Sequence, residues 1–290
     1  MPRSITALAT HRTLLLMGAV LAGFGVSADA AAPKAPPKRI VSLNLCADQY
    51  LLALADPGQI AALTRFARDP DMSAGAKAAG RIPITRGSAE DVLALEPDLI
   101  VATPGRRSGT RAALAGRNYP TLELSSAESY DDIVGQIRDV AVATGHPGRG
   151  EAMIRRMNAE LAALPRLRSG AVAAYYQRRG YMTGTGTLID DLMKRVGLVN
   201  LAARLGKPAL SQLTLEQLIA ARPDYLIVES AADRVRDQGT EMLDHPALRN
   251  IPRIRLPQAW TVCGGPSYVQ AARSLAEQVA RLPGTGISAR

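Results

Sequence analysis

Cys46 and Cys263 are the only cysteines in the 290-residue chain, and each stands beside residues that could hold a large ligand. Cys46 follows Asn44 at the end of an alternating apolar segment; Cys263 lies three residues beyond Trp260, the sole tryptophan, in the run WTVCGGP. Three chemistries are open to this pair. The thiols could face a ligand or bind a soft metal centre. They could form a disulfide across a sequence separation of 217 residues, with about 5 kcal/mol of chain-entropy stabilisation and a lock between the two ends it joins. Or they could be two unrelated buried residues. Arginines and aromatics recur nearby: Arg65 with Phe66, then Arg86 and Arg106, and later Tyr176, Gln177, Arg178 and Tyr181. Trp260 sits in the polar segment 258–266, where a flat amphipathic ring can cover a bulky molecule. The bland alternatives are local core for Phe66 and Tyr176 and solvated surface for any single arginine.

Catalytic and bare-metal constellations are absent from the sequence. Beyond the first 30 residues the histidines are His146 and His245, each next to a proline, and neither belongs to an HExxH pattern or a nucleophile elbow. Gly184-Thr185-Gly186 lacks the third glycine of a dinucleotide loop and reads as a helix entry. A site for naked Mn or Zn would need several His and carboxylate ligands, which the chain does not offer. The sequence is not that of an enzyme.

The elements that position these residues are written twice. Residues 90–101, EDVLALEPDLIV, return 126 positions later as EQLIAARPDYLIV. Each copy opens with a hydroxyl residue, Ser88 or Thr214, three positions before Asp91 or Gln217, which is a capping box. A short helix follows, stopped by Pro97 or Pro223. Asp98 and Asp224 make the turn, and the apolar triplets 99–101 and 226–228 read as strands of a parallel sheet buried on both faces. The spacing also predicts a strand over 39–44, a helix over 47–54, an apolar segment over 59–63, and strands over 121–124 and 171–176. A helix is expected over 188–196. Between the copies, Met153, Met157, Leu161 and Leu164 recur at helical spacing, so one continuous helix joins the halves. Ligands of such sheets lie outside the carboxyl ends of the strands. That rule selects Asn44, Cys46, Arg65, Phe66, Arg86 and Arg106 in the first half, and Tyr176, Gln177, Arg178, Tyr181, Trp260 and Cys263 in the second.

Composition fits two α/β lobes: 47% hydrophobic residues in a chain of this length fill two ordinary cores. Arg3 and Arg12 precede an apolar run at 14–26, and Ala28-Asp29-Ala30 resembles a signal-peptidase site, so residues 1–30 are expected to be cleaved on export. Residues 31–38, with three prolines, are expected to be a disordered leader. Removal of the first 30 residues takes two arginines and one aspartate, and the net charge falls from +9 to +8. The cations are scattered among acids rather than gathered in a patch, which argues against nucleic acid. The expected partition is a first lobe over 39–146, a linking helix over 147–166 and a second lobe over 170–284.

Together these pieces resemble the periplasmic substrate-binding proteins of cobalamin and ferric-siderophore ABC importers. The resemblance is carried by RIVSLN at 39–44, GSAEDVLALEPDLIV at 87–101, the helical link, and LTLEQLIAARPDYLIVE at 213–229. It implies two α/β lobes, each a mostly parallel sheet flanked by helices, joined by one long rigid helix with a ligand cleft between them. It further implies a monomeric periplasmic protein without a resident cofactor, which captures a metal chelate and hands it to an inner-membrane permease. In that family an acid on each lobe docks on permease arginines, and the matching residues are Glu90 and Glu216. The arginines beside aromatics would suit an anionic chelate, with corrinoids and carboxylate-bearing ferric siderophores both open. Haem or another metal complex, or a scaffolding role with no small ligand, are the competing readings.

Overall fold

The computed structural model describes residues 35–104, 108–165, 170–233 and 239–282; the expected signal peptide and Arg106 lie outside the described residues. The first lobe runs β1 (Ile40–Ser42), α1 (Leu45–Leu54), β2 (Ile60–Thr64), β3 (Ile84–Thr85), α2 (Ala89–Ala94), β4 (Leu99–Ala102), α3 (Ser108–Leu114), β5 (Thr121–Glu123) and α4 (Tyr130–Ala143). The linking helix is α5 (Pro147–Ala162). The second lobe opens with β6 (Val172–Tyr175), β7 (Tyr181–Thr183), α6 (Leu188–Arg195), β8 (Val199–Asn200), α7 (Leu201–Arg204) and β9 (Leu210–Gln212). It continues through α8 (Leu215–Ala221), β10 (Tyr225–Glu229), β11 (Arg253–Leu256), α9 (Gln258–Thr261) and α10 (Tyr268–Arg281).

The duplication is visible in the strand order. The two main sheets are parallel at every pairing and run β3-β2-β1-β4-β5 and β11-β10-β6-β8. From the same side, β2-β1-β4-β5 corresponds to β8-β6-β10-β11, so one arrangement serves both lobes and β3 is an addition to the first. The central strands β1, β4 and β6 are buried along their whole length, as double-faced strands must be. The second lobe has its own insertion, the antiparallel ribbon of β7 and β9.

Local chemistry explains why the repeat folds as it does. Ser88 Oγ accepts the Asp91 N–H at 3.1 Å, and Thr214 Oγ1 accepts the Gln217 N–H at 3.3 Å. The box is reciprocal only in the second copy, where Gln217 Oε1 accepts from the Thr214 N–H at 3.1 Å; in the first, the Asp91 carboxylate is taken by the Arg86 N–H. Both helices end through a left-handed residue ahead of the proline, Glu96 at φ 43° and Arg222 at φ 47°. That conformation costs a side-chain-bearing residue free energy, and here the rigid proline and the buried strand beyond it hold it in place. Asp98 and Asp224 do more than turn the chain. Asp98 accepts from the N–H groups of Lys38 and Arg39 at 2.6 and 2.9 Å, and Asp224 from that of Val172 at 2.7 Å. Each stitches its strand to the start of the lobe's first strand. Pro37 is also held, its carbonyl accepting from Gln59 Nε2 at 2.8 Å, so the expected disorder of the leader does not extend through Pro37 and Lys38.

The link is shorter than the spacing predicted and is not free-standing. At 16 residues α5 spans about 24 Å, and it ends ahead of Pro165, which could not continue it. It lies along α4 and α10. Its residues Met153 and Met157 belong to one apolar core that also includes Tyr50 of α1, Ile137 of α4, Leu192 of α6 and Leu275 of α10. Both lobes therefore contribute to a single interior on this side, while smaller clusters, Val41 with Ile100 and Val172 with Leu226, stay private to each. Tyr130 and Tyr268 pack at the joint with ring centroids 5.3 Å apart, and the Arg195 guanidinium lies 4.8 and 5.5 Å from the two centroids. Arg195 also donates to the Tyr268 hydroxyl, which donates to Asp191.

Gly150 is a point of close α4–α5 packing, because a Cβ there would stand 2.6 Å from Ala141 Cβ. Gly150→Ala should therefore destabilise the protein by about 1–3 kcal/mol through overpacking, seen as a lowered urea midpoint with an unchanged slope. An unchanged midpoint would show that α4 and α5 can separate without cost.

Candidate ligand cleft

A cleft of about 710 Å3 is walled mainly by segments that leave the carboxyl ends of first-lobe strands. Leu43, Asn44, Leu45 and Cys46 follow β1; Thr64 and Phe66 stand at the end of β2; Thr103 follows β4; and Ser125 to Ala127 follow β5. Gln136 on α4 lies in the same wall. The second lobe closes the space with Leu188 and with Thr261 to Gly264 at the end of α9. That last segment sits hard against the first lobe: a Cβ on Gly264 would be 2.3 Å from Ala127 Cβ, so only glycine fits. The volume falls within the roughly 300–1,000 Å3 of small-molecule sites. No charged side chain lines it among the described residues.

The two cysteines are bonded to each other. Cys46 and Cys263 form a disulfide with Cα atoms 5.4 Å apart, and both line the cleft. This corrects the reading of ligand-facing thiols or soft metal ligands, since neither sulfur is a thiolate. The physical reason is the close approach of the segments after β1 and α9, which brings the residues within bridging distance. The bond joins the first lobe to the second across the cleft wall.

Of the other residues selected by strand-end position, Asn44 and Phe66 line the cleft. Arg65 is exposed beside them, its guanidinium 4.6 Å from the centroid of the Phe66 ring. Arg86 is exposed at a separate shallow depression over β3 and α2. Tyr176 is fully buried in the second lobe's own core, where its hydroxyl donates to the Leu213 carbonyl at 2.8 Å. Gln177 donates to Glu229, Arg178 is exposed in a 3-10 turn, and Tyr181 is partly exposed on β7. Trp260 packs against the shared core while its neighbours Thr261 and Val262 face the cleft. The second-lobe aromatics are displaced by the β7–β9 ribbon. It folds back so that Tyr176 pairs with Met182, sealing a strand end that the duplication had suggested would be open.

Several wall residues were not anticipated. Ser125 and Ser126 follow β5 directly, and the strand-end rule that selected Asn44 would have found them. Gln136 required knowledge of α4, whose start is signalled by a full capping box between Ser129 and Asp132. Its amide nitrogen donates to the Ser125 carbonyl at 2.7 Å and braces that wall.

Behind Thr64 lies a buried acid. Asp48 accepts from the Thr64 N–H at 3.0 Å and from the Thr64 hydroxyl. Burial outweighs these bonds and lifts its carboxyl from 3.8 to about 6. Glu90 and Glu216 are in the opposite situation: fully exposed in the first turns of α2 and α8, each held below the usual carboxylate range by its own backbone N–H and the capping hydroxyl. Both are ionised at neutral pH. The two histidines among the described residues are structural. His146 meets Gln59 at 2.8 Å and Asp56 at 3.3 Å, and His245 accepts the Ala247 N–H at a helix start. Among the described residues no three His, Cys, Asp or Glu side chains gather to hold a bare ion, and no helix is long and apolar enough to cross a membrane.

Two α/β lobes of one strand order, joined by a helix and walling a cleft between them, are the architecture of a two-lobed binding protein. The chain belongs to the periplasmic binding protein family, which matches residues 40–255. It is 27% identical over 206 residues to a cobalamin-binding protein of Halobacterium salinarum, covering 69% of this chain but 56% of that longer protein, little more than half its length. It is 25% identical over 258 residues to a vitamin B12-binding protein of Pectobacterium atrosepticum, covering 85% of this chain and 90% of that one. Among solved structures, the apo periplasmic heme-binding protein RhuT from Roseiflexus sp. RS-1 superposes with a TM-score of 0.67 at 26% identity, covering 83% of this chain and 97% of that one.

Two outcomes follow from the wall chemistry. Asp48 binds its proton more tightly folded than unfolded, so between pH about 4 and about 6 the unfolded state is the less protonated one. Its contribution to stability should then fall by about 3 kcal/mol as pH rises through that window. Asp48→Asn, which can still accept the Thr64 N–H, should flatten this part of a urea-unfolding pH series; an unchanged profile would remove Asp48 as its source. Replacing both Cys46 and Cys263 by serine should cost about 5 kcal/mol by loop entropy, and the unreduced wild-type protein, denatured, should titrate no thiol.

Proposed function

We propose that this is an exported solute-binding protein that captures a metal chelate in the cleft and delivers it to the permease of an ABC importer. The observation that carries the proposal is the cleft itself, built at the carboxyl ends of β1, β2, β4 and β5 and closed by the Thr261–Gly264 segment of the other lobe. Its mixture of apolar and neutral polar groups suits a bulky, partly apolar molecule oriented by a few hydrogen bonds. The relatives add weight, since those named above are described as binding cobalamin, vitamin B12 or heme. In this reading residues 1–30 direct export and are removed, the mature chain acts as a monomer in the periplasm, and the metal arrives inside the cargo.

Delivery rests on Glu90 and Glu216. They occupy equivalent positions of the two repeat copies, both are exposed and both are ionised. Paired carboxylates on matching helices suit bidentate capture by arginines of a two-fold partner.

Thermal melts of the chain from residue 31 should show a rise with one of cyanocobalamin, haem, a ferric trihydroxamate or a ferric catecholate. Ligand at about 100 times its Kd contributes about 2.7 kcal/mol by linkage. No rise with any of the four would sink chelate capture and favour a scaffolding role. Glu90→Lys combined with Glu216→Lys should abolish uptake in cells while leaving the Kd of the purified protein within about twofold. A lost affinity would instead place the two glutamates in the cleft.

A further inference from the structure

The wall that closes the cleft from the second lobe, Thr261 to Gly264, is held in two different ways. Within its own lobe it is hydrogen-bonded: the Val262 N–H donates to the Gln258 carbonyl at 2.8 Å, and the Thr261 hydroxyl donates to the same carbonyl at 3.4 Å. Among the described residues no hydrogen bond carries the segment across the seam to the first lobe. Gly264 lies against Ala127 and Ile133 there by van der Waals contact alone, and one residue earlier Cys263 is bonded to Cys46. Contacts of the first kind are weak singly. The covalent bond is what fixes this wall against the first lobe.

The bond is also reachable. Both cysteines line the cleft, and Cys46 is only half-buried whereas Cys263 is 4% exposed, so a thiolate entering the cleft meets the Cys46 sulfur first. Attack there forms a mixed disulfide at Cys46 and expels the Cys263 sulfur, which takes up a proton. The second thiol of a dithiol then displaces the Cys46 sulfur and closes its own ring disulfide. The dithiol loses two electrons and two protons, and the protein gains both as two thiols. We infer that Cys46–Cys263 is a positioning latch: it holds the Thr261–Gly264 wall ready for capture, a small dithiol releases it through the open cleft, and bound cargo shields it. The lobes stay joined through α5 and the shared core, so release frees the wall and leaves the joint intact. Cargo and bond share one wall, and each therefore strengthens the other: reduced protein binds more weakly, and loaded protein resists reduction. The cargo half of this inference rests on the chelate-binding reading above; the mechanical half does not.

The test begins with the mature full chain free of ligand, either oxidised or reduced by dithiothreitol and desalted without air. In a deuterium-labelling pulse of seconds, too brief for global unfolding, residues 258–266 should exchange about tenfold faster in the reduced protein. The helices α4 and α10 at the joint should label alike in both states. Equal labelling of 258–266, or a matching acceleration of α4 and α10, would overturn the latch. Four probes then read the cargo half: cyanocobalamin, gallium protoporphyrin, a gallium trihydroxamate and a gallium tris-catecholate, with gallium replacing iron so that thiols cannot reduce the metal. The probe that binds the oxidised protein should leave the reduced protein about tenfold faster or more. At saturation it should slow the appearance of protein thiols under dithiothreitol by about tenfold or more. An unchanged dissociation rate, or a bond left unprotected, would overturn the coupling of cargo and bond while chelate binding stands. If no probe binds the oxidised protein, the chelate reading falls and the labelling pulse alone decides the latch.

Discussion

The joint between the lobes governs everything else in this protein. A cleft between two domains usually opens and closes because the domains have separate interiors. Here one apolar core runs from α1 and α4 through α5 into α6 and α10, and the stacked trio of Tyr130, Tyr268 and Arg195 crosses the same seam. The Cys46–Cys263 bond closes the cleft side. Held by packing on one face and a covalent tie on the other, the walls of the site are largely set before a ligand arrives. The entropic cost of ordering them is met in folding rather than in binding.

That arrangement also separates two kinds of electrostatics. The chain carries a net charge of +9, yet no charged side chain lines the cleft among the described residues, and Arg65 stands beside the lining against the Phe66 ring. Close behind the wall, Asp48 is buried and holds its proton more tightly than a free carboxyl. In the first turns of α2 and α8, Glu90 and Glu216 are exposed and held ionised by capping hydrogen bonds.

Much of the fold was legible because the repeat encodes it locally. A hydroxyl cap, a proline stop and a buried apolar triplet can each be interpreted without knowing what lies elsewhere, and they placed α2, β4, α8 and β10 to within a residue or two. The cleft was legible only in part. Asn44, Cys46 and Phe66 follow from strand-end position in the first lobe, where the chain leaves β1 and β2 without interruption. Applying the same rule to the second lobe selected Tyr176 and Tyr181, but the β7–β9 ribbon, with no counterpart in the first copy, covers that strand end. Nor does sequence spacing reveal that residues 217 apart come within bonding distance. That depends on how the segment after α9 packs against Ala127, a contact made possible by the missing side chain of Gly264.

The position of that bond in the chain carries a lesson about assembly. A ribosome finishes Cys46 early and must add 217 further residues before its partner exists. The first lobe is therefore synthesised with an unpaired sulfur, and only a polypeptide extended through Cys263 can retire it. A fragment stopped anywhere upstream of Cys263 keeps a free thiol at Cys46, which distinguishes unfinished molecules chemically from completed ones.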